Sequence, residues 1–304
     1  MLKFFNRRNF LSYVAAGIGG NSFAASIAKP KNITLGFSNY GMKTIPYAEA
    51  ILQLGKIGFD AIELCLLPGW STEPKLLSKE DRATISKLIS DSNLKLTSLM
   101  ENISPSVMPE VAKGHEERLK KAFSLAHELS GKQAPLVQTV LGGGDWEKVR
   151  NLFLDTLGKW ASIAEKEKVV IAIKPHRSGA MNHPGQAIWL INQLKNPAYL
   201  KMVYDPSHLA FRNLDILKLL DDSLPFVAHL AIKDAVQNAG KTVFDLAGAG
   251  NAIDYSGIFK ILREKNYQGD VNCEVSSMVS EKPGYNPLSA AKTCYANMSK
   301  YFSA

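Results

Sequence analysis

Four apolar stretches in the second half of the chain each end in side chains that can do chemistry. The first covers residues 169–178, V-V-I-A-I-K-P-H-R-S, and closes on Lys174, His176 and Arg177. Continuous apolar runs rich in β-branched residues are typical of strands buried on both faces of a parallel sheet. The other three stretches end in the ionisable residues Asp205, His208, Lys233, Asp234 and Glu274. We therefore expect one functional site where the carboxyl ends of these strands meet.

The elements that must position these residues alternate along the chain. The pattern predicts eight strands, of which the first is Ile33 to Ser38, and eight helices, of which the last covers 290–302. Alternation of this kind permits an open doubly wound sheet or a closed barrel. Eight units in roughly 250 to 280 residues favour the (β/α)8 barrel, and no Gly-x-Gly-x-x-Gly follows the first strand. The predicted strand ends carry Glu63, Glu101, Lys174, His176, Asp205, His208, Lys233 and Glu274.

Length and composition permit one large domain or two ordinary ones, and the eight-unit pattern predicts a single domain over residues 29–304. The chain has 304 residues, of which 46% are hydrophobic and 21% are charged, enough apolar surface for a full core. The net charge is +8, but three of the positive charges and no acidic residue lie in the first 28 residues, which leaves +5 from Lys29 onward. Since this excess is diffuse and no block of five basic residues occurs, we expect no nucleic-acid partner.

The first 28 residues have the pattern of a targeting segment. Arg7-Arg8-Asn9-Phe10-Leu11 precedes an apolar, Gly/Ala-rich stretch that ends near Ser26 and Ala28, small residues suited to cleavage. The segment resembles a twin-arginine (Tat) export signal. It predicts export to the periplasm or cell envelope, with no stable membrane insertion after processing. The alternative is a retained membrane anchor, for which the stretch is short and broken by glycine.

Three cysteines, an odd number for an exported chain, give no disulfide framework. Cys65 and Cys273 lie within strand-like runs, and Cys294 is in the last predicted helix. We expect buried cysteines that act as small apolar packing residues.

Several motifs occur in the order and at the spacing of a known family. They are G-F-D-A-I-E-L at 58–64, D-P-S-H at 205–208, H-L-A-I-K-D at 229–234, G-A-G-N-A-I-D-Y at 248–255 and N-Y-Q-G-D-V-N-C-E at 266–274. From about Ile33 to the carboxyl terminus, the chain resembles the xylose isomerase-like barrels that include sugar phosphate isomerases and epimerases. The resemblance implies a small carbohydrate substrate. Because the same superfamily includes endonuclease IV, the fold alone does not determine the reaction.

The resemblance also implies a metal site from which this chain departs. Well-studied isomerases of the family hold one divalent metal by a Glu, an Asp, the second His of an H-x-H and a second Glu. Asp205 and Glu274 match two of these ligands, but Lys174 and Ala231 stand where the first Glu and the His belong. An ammonium in place of a carboxylate changes the local charge by two and repels a divalent ion. We expect the Lys174 ammonium to replace the metal's charge.

The resemblance further implies an isomerase or epimerase that removes a proton next to the carbonyl of a sugar or keto-sugar. We assign Glu274 as the base, Lys174 as the cation that stabilises the oxyanion, and His208, beside Asp205, as acid or positioning group. A desolvated Lys174 acting as base or imine former is the alternative. Other hypotheses are a lyase or hydrolase of keto-sugars, a sugar-binding barrel without catalysis, and a metal-dependent hydrolase, which the few histidines disfavour.

Substrate-binding candidates flank this centre. The guanidinium of Arg177 suits a carboxylate or phosphate. The equal alternative is that Arg177 and His176 belong to a plain salt bridge in the loop. Glu63 and Glu101 bind sugar hydroxyls or pair with nearby basic groups, and Lys233 is expected to reach the site. Trp70 and Trp146 are interpreted as packing residues at the rim, with stacking on a sugar ring as the alternative. His229 is interpreted as a core histidine, and the helical His115 and His127 as surface or packing residues. The sequence leaves homo-oligomerisation open.

Overall fold

The computed structural model describes residues 33–131 and 133–302. The predicted export signal, residues 1–28, lies outside this part of the chain. Within the described residues, no helix combines the length and apolar character needed to cross a bilayer.

Eight parallel strands close into a barrel, as the alternating pattern predicts. The ten strands of the described residues are β1 Ile33–Ser38, β2 Ala61–Cys65, β3 Lys95–Met100, β4 Leu136–Thr139, β5 Ile171–Ile173, β6 Leu200–Tyr204, β7 Val227–Ile232, β8 Asp234–Asn238, β9 Lys241–Asp245 and β10 Gly269–Cys273. The barrel runs in the order β1-β10-β7-β6-β5-β4-β3-β2, while β8 and β9 form a separate antiparallel pair. The fold is therefore a single-domain (β/α)8 barrel.

Helices follow the barrel strands along the chain. They are α1 Tyr47–Ile57, α2 Lys79–Asp91, α3 Pro109–Leu129, α4 Trp146–Glu167, α5 Pro184–Gln193, α6 Ile216–Ser223, α7 Tyr255–Glu264, the short α8 Ser277–Ser280 and α9 Pro287–Met298. The helix predicted over 290–302 begins earlier, at Pro287 of α9, and α3 begins at Pro109. Both helices begin at a proline. Proline is favoured at the first helical position because a backbone N–H there would have no acceptor within the helix.

Local sequence explains the ends of α4. The Asp145 side chain accepts a hydrogen bond from the backbone N–H of Glu147, which satisfies one of the free donors of the first turn. The helix ends at Lys168, whose φ of 54° is left-handed. Between these ends, Phe153, Leu157 and Trp160 are buried at helical spacing.

The hairpin formed by β8 and β9 was missed by the sequence analysis. Its register pairs Asn238 with Lys241, which leaves Ala239 and Gly240 as a two-residue turn. Both turn residues have positive φ, 47° and 76°, as such turns require. Alanine replaces the asparagine or aspartate that usually marks the turn, so the sequence signal is weak.

The core lies mainly between the strands and the surrounding helices, with a smaller cluster inside the barrel. Ala172, Val203 and Ala231 form this inner cluster. Ala231 is fully buried there, so the position that the resemblance assigns to a metal-binding histidine instead contributes to packing. All three cysteines are buried and free, in agreement with the prediction.

Candidate functional site

Four charged side chains meet at the carboxyl ends of β5, β6, β7 and β10. Lys174 Nζ lies 2.6 Å from Glu274 Oε2 and 3.2 Å from Asp205 Oδ2. Lys233 Nζ lies 2.6 Å from Asp205 Oδ2 and 2.8 Å from Glu274 Oε1. Each ammonium therefore contacts both carboxylates. We call Lys174, Asp205, Lys233 and Glu274 the lysine–carboxylate tetrad.

The tetrad is buried and electrically balanced. No member is more than 7% exposed, and two ammonium groups face two carboxylates. Removing charges from water is costly unless their partners lie close and their remaining hydrogen-bonding capacity is used. Asp205 meets the second condition too, because its Oδ1 accepts hydrogen bonds from the hydroxyl and the backbone N–H of Ser207, at 2.6 and 3.1 Å.

These contacts determine the protonation of the tetrad. Burial alone would raise the pKa of Asp205 and of Glu274, but the positive charges of Lys233 and Lys174 outweigh it and lower both to about 2. Burial would lower the pKa of Lys174, yet the charges of Glu274 and Asp205 raise it above its usual value. An imine-forming lysine requires a lowered pKa, whereas the pKa of Lys174 is raised. The geometry therefore favours the ammonium form of Lys174.

The donor set does not fit the divalent metal that the family resemblance implies. The two matching ligands, Asp205 and Glu274, each lie within 3.2 Å of both lysine Nζ atoms. An ammonium donates hydrogen bonds and offers no lone pair to a metal. Across the described residues, no group of three or more His, Cys, Asp or Glu side chains is placed to hold a metal ion.

Two histidines lie beside the tetrad. His208 Nε2 is 3.4 Å from Asp205 Oδ2, and the centroids of the His208 and His176 rings are 4.1 Å apart. Burial, followed by the charge of a tetrad lysine, lowers the pKa of His176 to about 4 and that of His208 well below its usual value. Both imidazoles are therefore neutral at pH 7.

Backbone donors assign the tautomers of these rings. The N–H of Arg177 approaches His208 Nδ1 at 3.4 Å, and the N–H of Ser178 approaches His176 Nδ1 at the same distance. Because each Nδ1 faces a donor, we place the imidazole proton on Nε2 in both rings. The Nε2–H of His208 then faces Asp205 Oδ2, and the His176 ring carries a second N–H donor.

The hairpin contributes one wall of the site. The Phe244 ring of β9 lies with its centroid 5.1 Å from Lys233 Nζ and 5.0 Å from the centroid of the His208 ring. Arg177 donates a hydrogen bond to the Thr242 hydroxyl at 3.1 Å. The hairpin thus packs against three residues identified from the sequence.

Glu63 and Glu101 are not part of the tetrad. Glu101 forms an ion pair with Arg118 of α3, which is the pairing alternative recognised in the sequence. Glu63 is fully buried, and Gln138 donates a hydrogen bond to its carboxylate. His229, deeper in the barrel, lies with Nε2 3.6 Å from Glu63 and Nδ1 3.5 Å from Asp270. We call Glu63, His229 and Asp270 the core trio.

An aromatic group at the mouth was missed. Tyr40 follows β1, and burial, then the negative charge of Glu274, raises its pKa. Its ring stacks on Trp70 at 5.3 Å between centroids, and Lys43 Nζ lies 4.4 Å from the centroid of the Trp70 ring. Trp70 is therefore engaged in packing, as expected, while nothing in the pattern around Tyr40 distinguishes it from other aromatic residues. Trp146 packs edge-on against Trp189.

Known proteins resemble this chain in sequence and in fold. Inosose dehydratase from Clostridium tetani is 26% identical over 161 residues, which cover 47% of this chain and 52% of that protein. Inosose dehydratase 1 from Bacillus cereus is 28% identical over 140 residues, or 41% of this chain and 45% of that protein. The chain thus spans about half the length of the curated relatives it matches.

Solved structures match over most of the barrel. D-Psicose 3-epimerase from Clostridium cellulolyticum H10 superimposes with a TM-score of 0.72 at 14% identity, covering 89% of this chain and 100% of that one. The 3-keto-D-glucoside 4-epimerase from E. coli gives a TM-score of 0.67 at 17% identity, covering 87% and 98%. At these identities the likeness shows the fold alone. Residues 51–292, however, match a family described as xylose isomerase-like TIM barrel, and the chain belongs to that family.

Proposed function

We propose that this protein is a sugar-modifying enzyme that removes a proton next to the carbonyl of a keto-sugar or keto-cyclitol, using a lysine ammonium where well-studied isomerases of the family hold a metal ion. The observation that carries the proposal is the tetrad, which places a buried cation 2.6 Å from a carboxylate at the carboxyl end of a barrel. Catalytic groups in this fold lie at that end.

Exposure assigns the roles within the tetrad. The side chains of Glu274 and Lys174 are 8% and 5% exposed, whereas those of Lys233 and Asp205 are 2% and 0% exposed. The first pair therefore faces a bound ligand, and the second pair supports it from behind. Glu274 is the base, and Lys174 is the cation that contacts the carbonyl oxygen.

The proposed step balances charge without another reactant. Glu274 takes the proton from the carbon next to the carbonyl, and the electron pair of the broken C–H bond passes to the carbonyl oxygen, giving an enediolate. The ammonium of Lys174 stabilises the new negative charge. When Lys174 donates a hydrogen bond to this oxygen, its hydrogen bond to Glu274 weakens. The pKa of Glu274 is then lowered less, at the step in which Glu274 must act as a base. The Nε2–H of His176 is a donor for a neighbouring hydroxyl, while that of His208 faces Asp205.

The enediolate is common to several outcomes. Reprotonation on the opposite face gives an epimer, reprotonation at the neighbouring carbon gives an isomer, and loss of an adjacent hydroxyl gives a dehydrated product. The similar proteins are named inosose dehydratase, 3-keto-D-glucoside 4-epimerase and D-psicose 3-epimerase. Their names therefore include two of these outcomes, dehydration and epimerisation. They support a polyhydroxylated ketone as the substrate class.

Solvent exchange tests the proposal directly. The protein, treated with chelator, is incubated in D2O with D-fructose, D-tagatose or an inosose, and loss of the proton next to the carbonyl is followed by NMR. We expect exchange with at least one ketone, and its loss in Glu274→Gln and Lys174→Met. Glu264→Gln and Lys260→Met, on the exposed face of α7, are the matched controls. Exchange that requires added metal, or that persists in both tetrad variants, would refute the mechanism.

A sugar-binding barrel without catalysis is the second candidate. The observation that favours it is the low pKa of Glu274, about 2, where burial is outweighed by two lysines, since so weak a base abstracts carbon-bound protons poorly. Binding of a ketone without any exchange in D2O would support this function over the first.

We also propose export, on the sequence of residues 1–28 alone. The paired Arg7 and Arg8 ahead of an apolar stretch support a twin-arginine signal. Fractionation of cells that produce the full chain is the test. We expect the wild type in the envelope or periplasmic fraction and the Arg7→Lys/Arg8→Lys variant in the cytoplasm. Equal distribution of the two proteins would contradict the proposal.

A further inference from the structure

Arg177 lies at the mouth of the site with unused hydrogen-bonding capacity. Its Nη2 donates to the Thr242 hydroxyl, but its Nη1 is buried and has no hydrogen-bond partner among the described residues. Its guanidinium carbon lies 5.9 Å from the centroid of the Phe244 ring. A buried charged donor without an acceptor is costly. The arrangement therefore favours a ligand atom that completes the set.

A second arginine adds to the positive charge. Arg212 donates from Nη1 to the Asn182 carbonyl at 2.5 Å and from Nη2 to the Asn182 side-chain oxygen at 2.8 Å. Burial, followed by the positive charge of Arg212, lowers the pKa of Arg177. In the part of the chain that the structure describes, neither arginine forms a salt bridge with a carboxylate.

The charge of this region is not neutralised by its neighbours. The tetrad contributes two positive and two negative charges, and both histidines are neutral. Of the other acidic candidates from the sequence, Glu101 is paired with Arg118, and Glu63 is fully buried with Gln138 and His229. Two positive charges therefore remain on one side of the mouth, and an anion bound there would meet no facing carboxylate within these groups.

We infer that Arg177, supported by Arg212, forms an oxyanion subsite, and that the substrate is an acidic sugar derivative bearing a carboxylate or a phosphate. That the ligand is a sugar derivative rests on the proposed function. That it is an anion rests on the Arg177 guanidinium, which has no carboxylate partner among the described residues. The backbone N–H of Arg177 approaches His208, which in turn approaches Asp205. The Arg177 guanidinium carbon and Lys233 Nζ also lie against the same Phe244 ring, 5.9 and 5.1 Å from its centroid, so the subsite adjoins the tetrad.

The alternative role for Arg177 is to hold the hairpin through Thr242. A residue with only that role would affect binding of charged and neutral sugars equally. An oxyanion subsite predicts an effect that depends on ligand charge and weakens with salt. Charge dependence therefore separates the two roles.

Equilibrium binding of three sugars provides the test. D-glucose, D-glucuronate and D-glucose 6-phosphate are titrated into the full chain and the dissociation constants compared. We expect at least one acidic sugar to bind about tenfold or more tightly than glucose, as bidentate charge-assisted hydrogen bonds provide. Preference for glucuronate indicates a carboxylate ligand, and preference for the phosphate ester indicates a phosphorylated one.

Variants then locate the effect. Arg177→Gln, which retains a donor for Thr242, is expected to remove the preference, and Arg177→Lys to retain part of it. Arg263→Gln, at the end of α7 where Arg263 contacts the Tyr301 carbonyl, is the control and should keep the preference. The inference would be overturned if the wild type shows no preference or binds neither acid. It would also be overturned if the preference survives in Arg177→Gln.

The outcome is separable from that of the proposed function. If no ketone exchanges in D2O but the charge preference disappears in Arg177→Gln, the subsite stands and the proposed reaction fails. If neutral ketones exchange and no preference is found, the reaction stands and the subsite fails.

Discussion

Two buried groups of ionisable residues share the barrel interior and differ in the direction in which the pKa of their carboxyl groups is shifted. The tetrad and the core trio are equally inaccessible to water, since no member of either is more than 7% exposed. The tetrad carboxylates have their pKa lowered because two lysines outweigh burial. In the trio, burial raises the pKa of Glu63 and Asp270, and the neutral form of His229 is favoured as well.

The difference shows that a close cation, and not depth, decides the charge of a buried carboxylate in this protein. In the trio, the His229 nitrogens lie 3.5 and 3.6 Å from the carboxylates, and neither nitrogen forms a hydrogen bond with a described residue. Desolvation then dominates, and the neutral forms are favoured. The tetrad is charged at the carboxyl ends of the strands, while the neutral forms are favoured in the trio deeper in the barrel.

The largest expected effect comes from removing one tetrad charge. Glu274→Gln leaves two buried ammonium groups with a single carboxylate, and loss of one partner from a buried ion pair costs about 3–5 kcal/mol. We expect the free energy of unfolding at pH 7, measured by urea denaturation, to fall by that amount. A loss below about 1 kcal/mol, typical of surface pairs, would contradict the assigned contacts.

Removing opposite charges together should restore part of this stability. The double variant Lys174→Met/Glu274→Gln leaves Asp205 paired with Lys233 at 2.6 Å. We expect it to be more stable than the sum of the single variants by about 1–3 kcal/mol, the coupling typical of residues in direct contact. Additive losses in a double-mutant cycle would show that the two side chains do not interact.

Acid should weaken the tetrad. Asp205 and Glu274 have a pKa of about 2 in the folded protein, where nearby lysines outweigh burial, against roughly 4 in an unfolded chain. Their contribution to stability is therefore complete above about pH 4 and is lost as the pH falls toward 2. Urea denaturation between pH 6 and 2 should show a steeper decline for the wild type than for the Lys174→Met/Glu274→Gln variant. Parallel curves would contradict the prediction.

The smallest effect, with the opposite sign to that of Glu274→Gln, is expected in the trio. Because burial raises the pKa of Glu63, its ionisation opposes folding, and Glu63→Gln removes a charge that the fold disfavours. We expect no change in stability at pH 4 and a gain of at most about 1 kcal/mol at pH 8. Destabilisation that grows with pH would mean that Glu63 is a favourably ionised group like Glu274.

Sequence pattern was sufficient for the barrel and for the line of ionisable strand ends. The alternation of elements fixes which residues end a strand, so Lys174, Asp205, Lys233 and Glu274 could be assigned to one mouth. The pattern does not give the depth in the barrel that each side chain reaches. This depth depends on the stagger between strands that are distant in the chain. The stagger decides that Lys233 pairs with both carboxylates and that Glu63 faces His229 across the barrel.

The hairpin marks the other limit of sequence reasoning. Its turn has Ala239 where asparagine or aspartate usually precedes the glycine, and its strands are only five residues each. Without the hairpin, Phe244 and Thr242 could not be placed against His208 and Arg177. The unsatisfied Nη1 of Arg177 is a property of that contact and has no counterpart in the local sequence.

The origin of the tetrad in four separate strands also bears on how the chain reaches its folded state. Glu274 is the last member along the sequence, and it follows β10, which pairs with β1 and β7 to close the barrel. Without Glu274, the other three members would carry two positive charges and one negative charge. The strand that closes the barrel therefore also supplies the carboxylate that balances the charge. A change that displaces β10 would open the barrel and leave an uncompensated positive charge at this end.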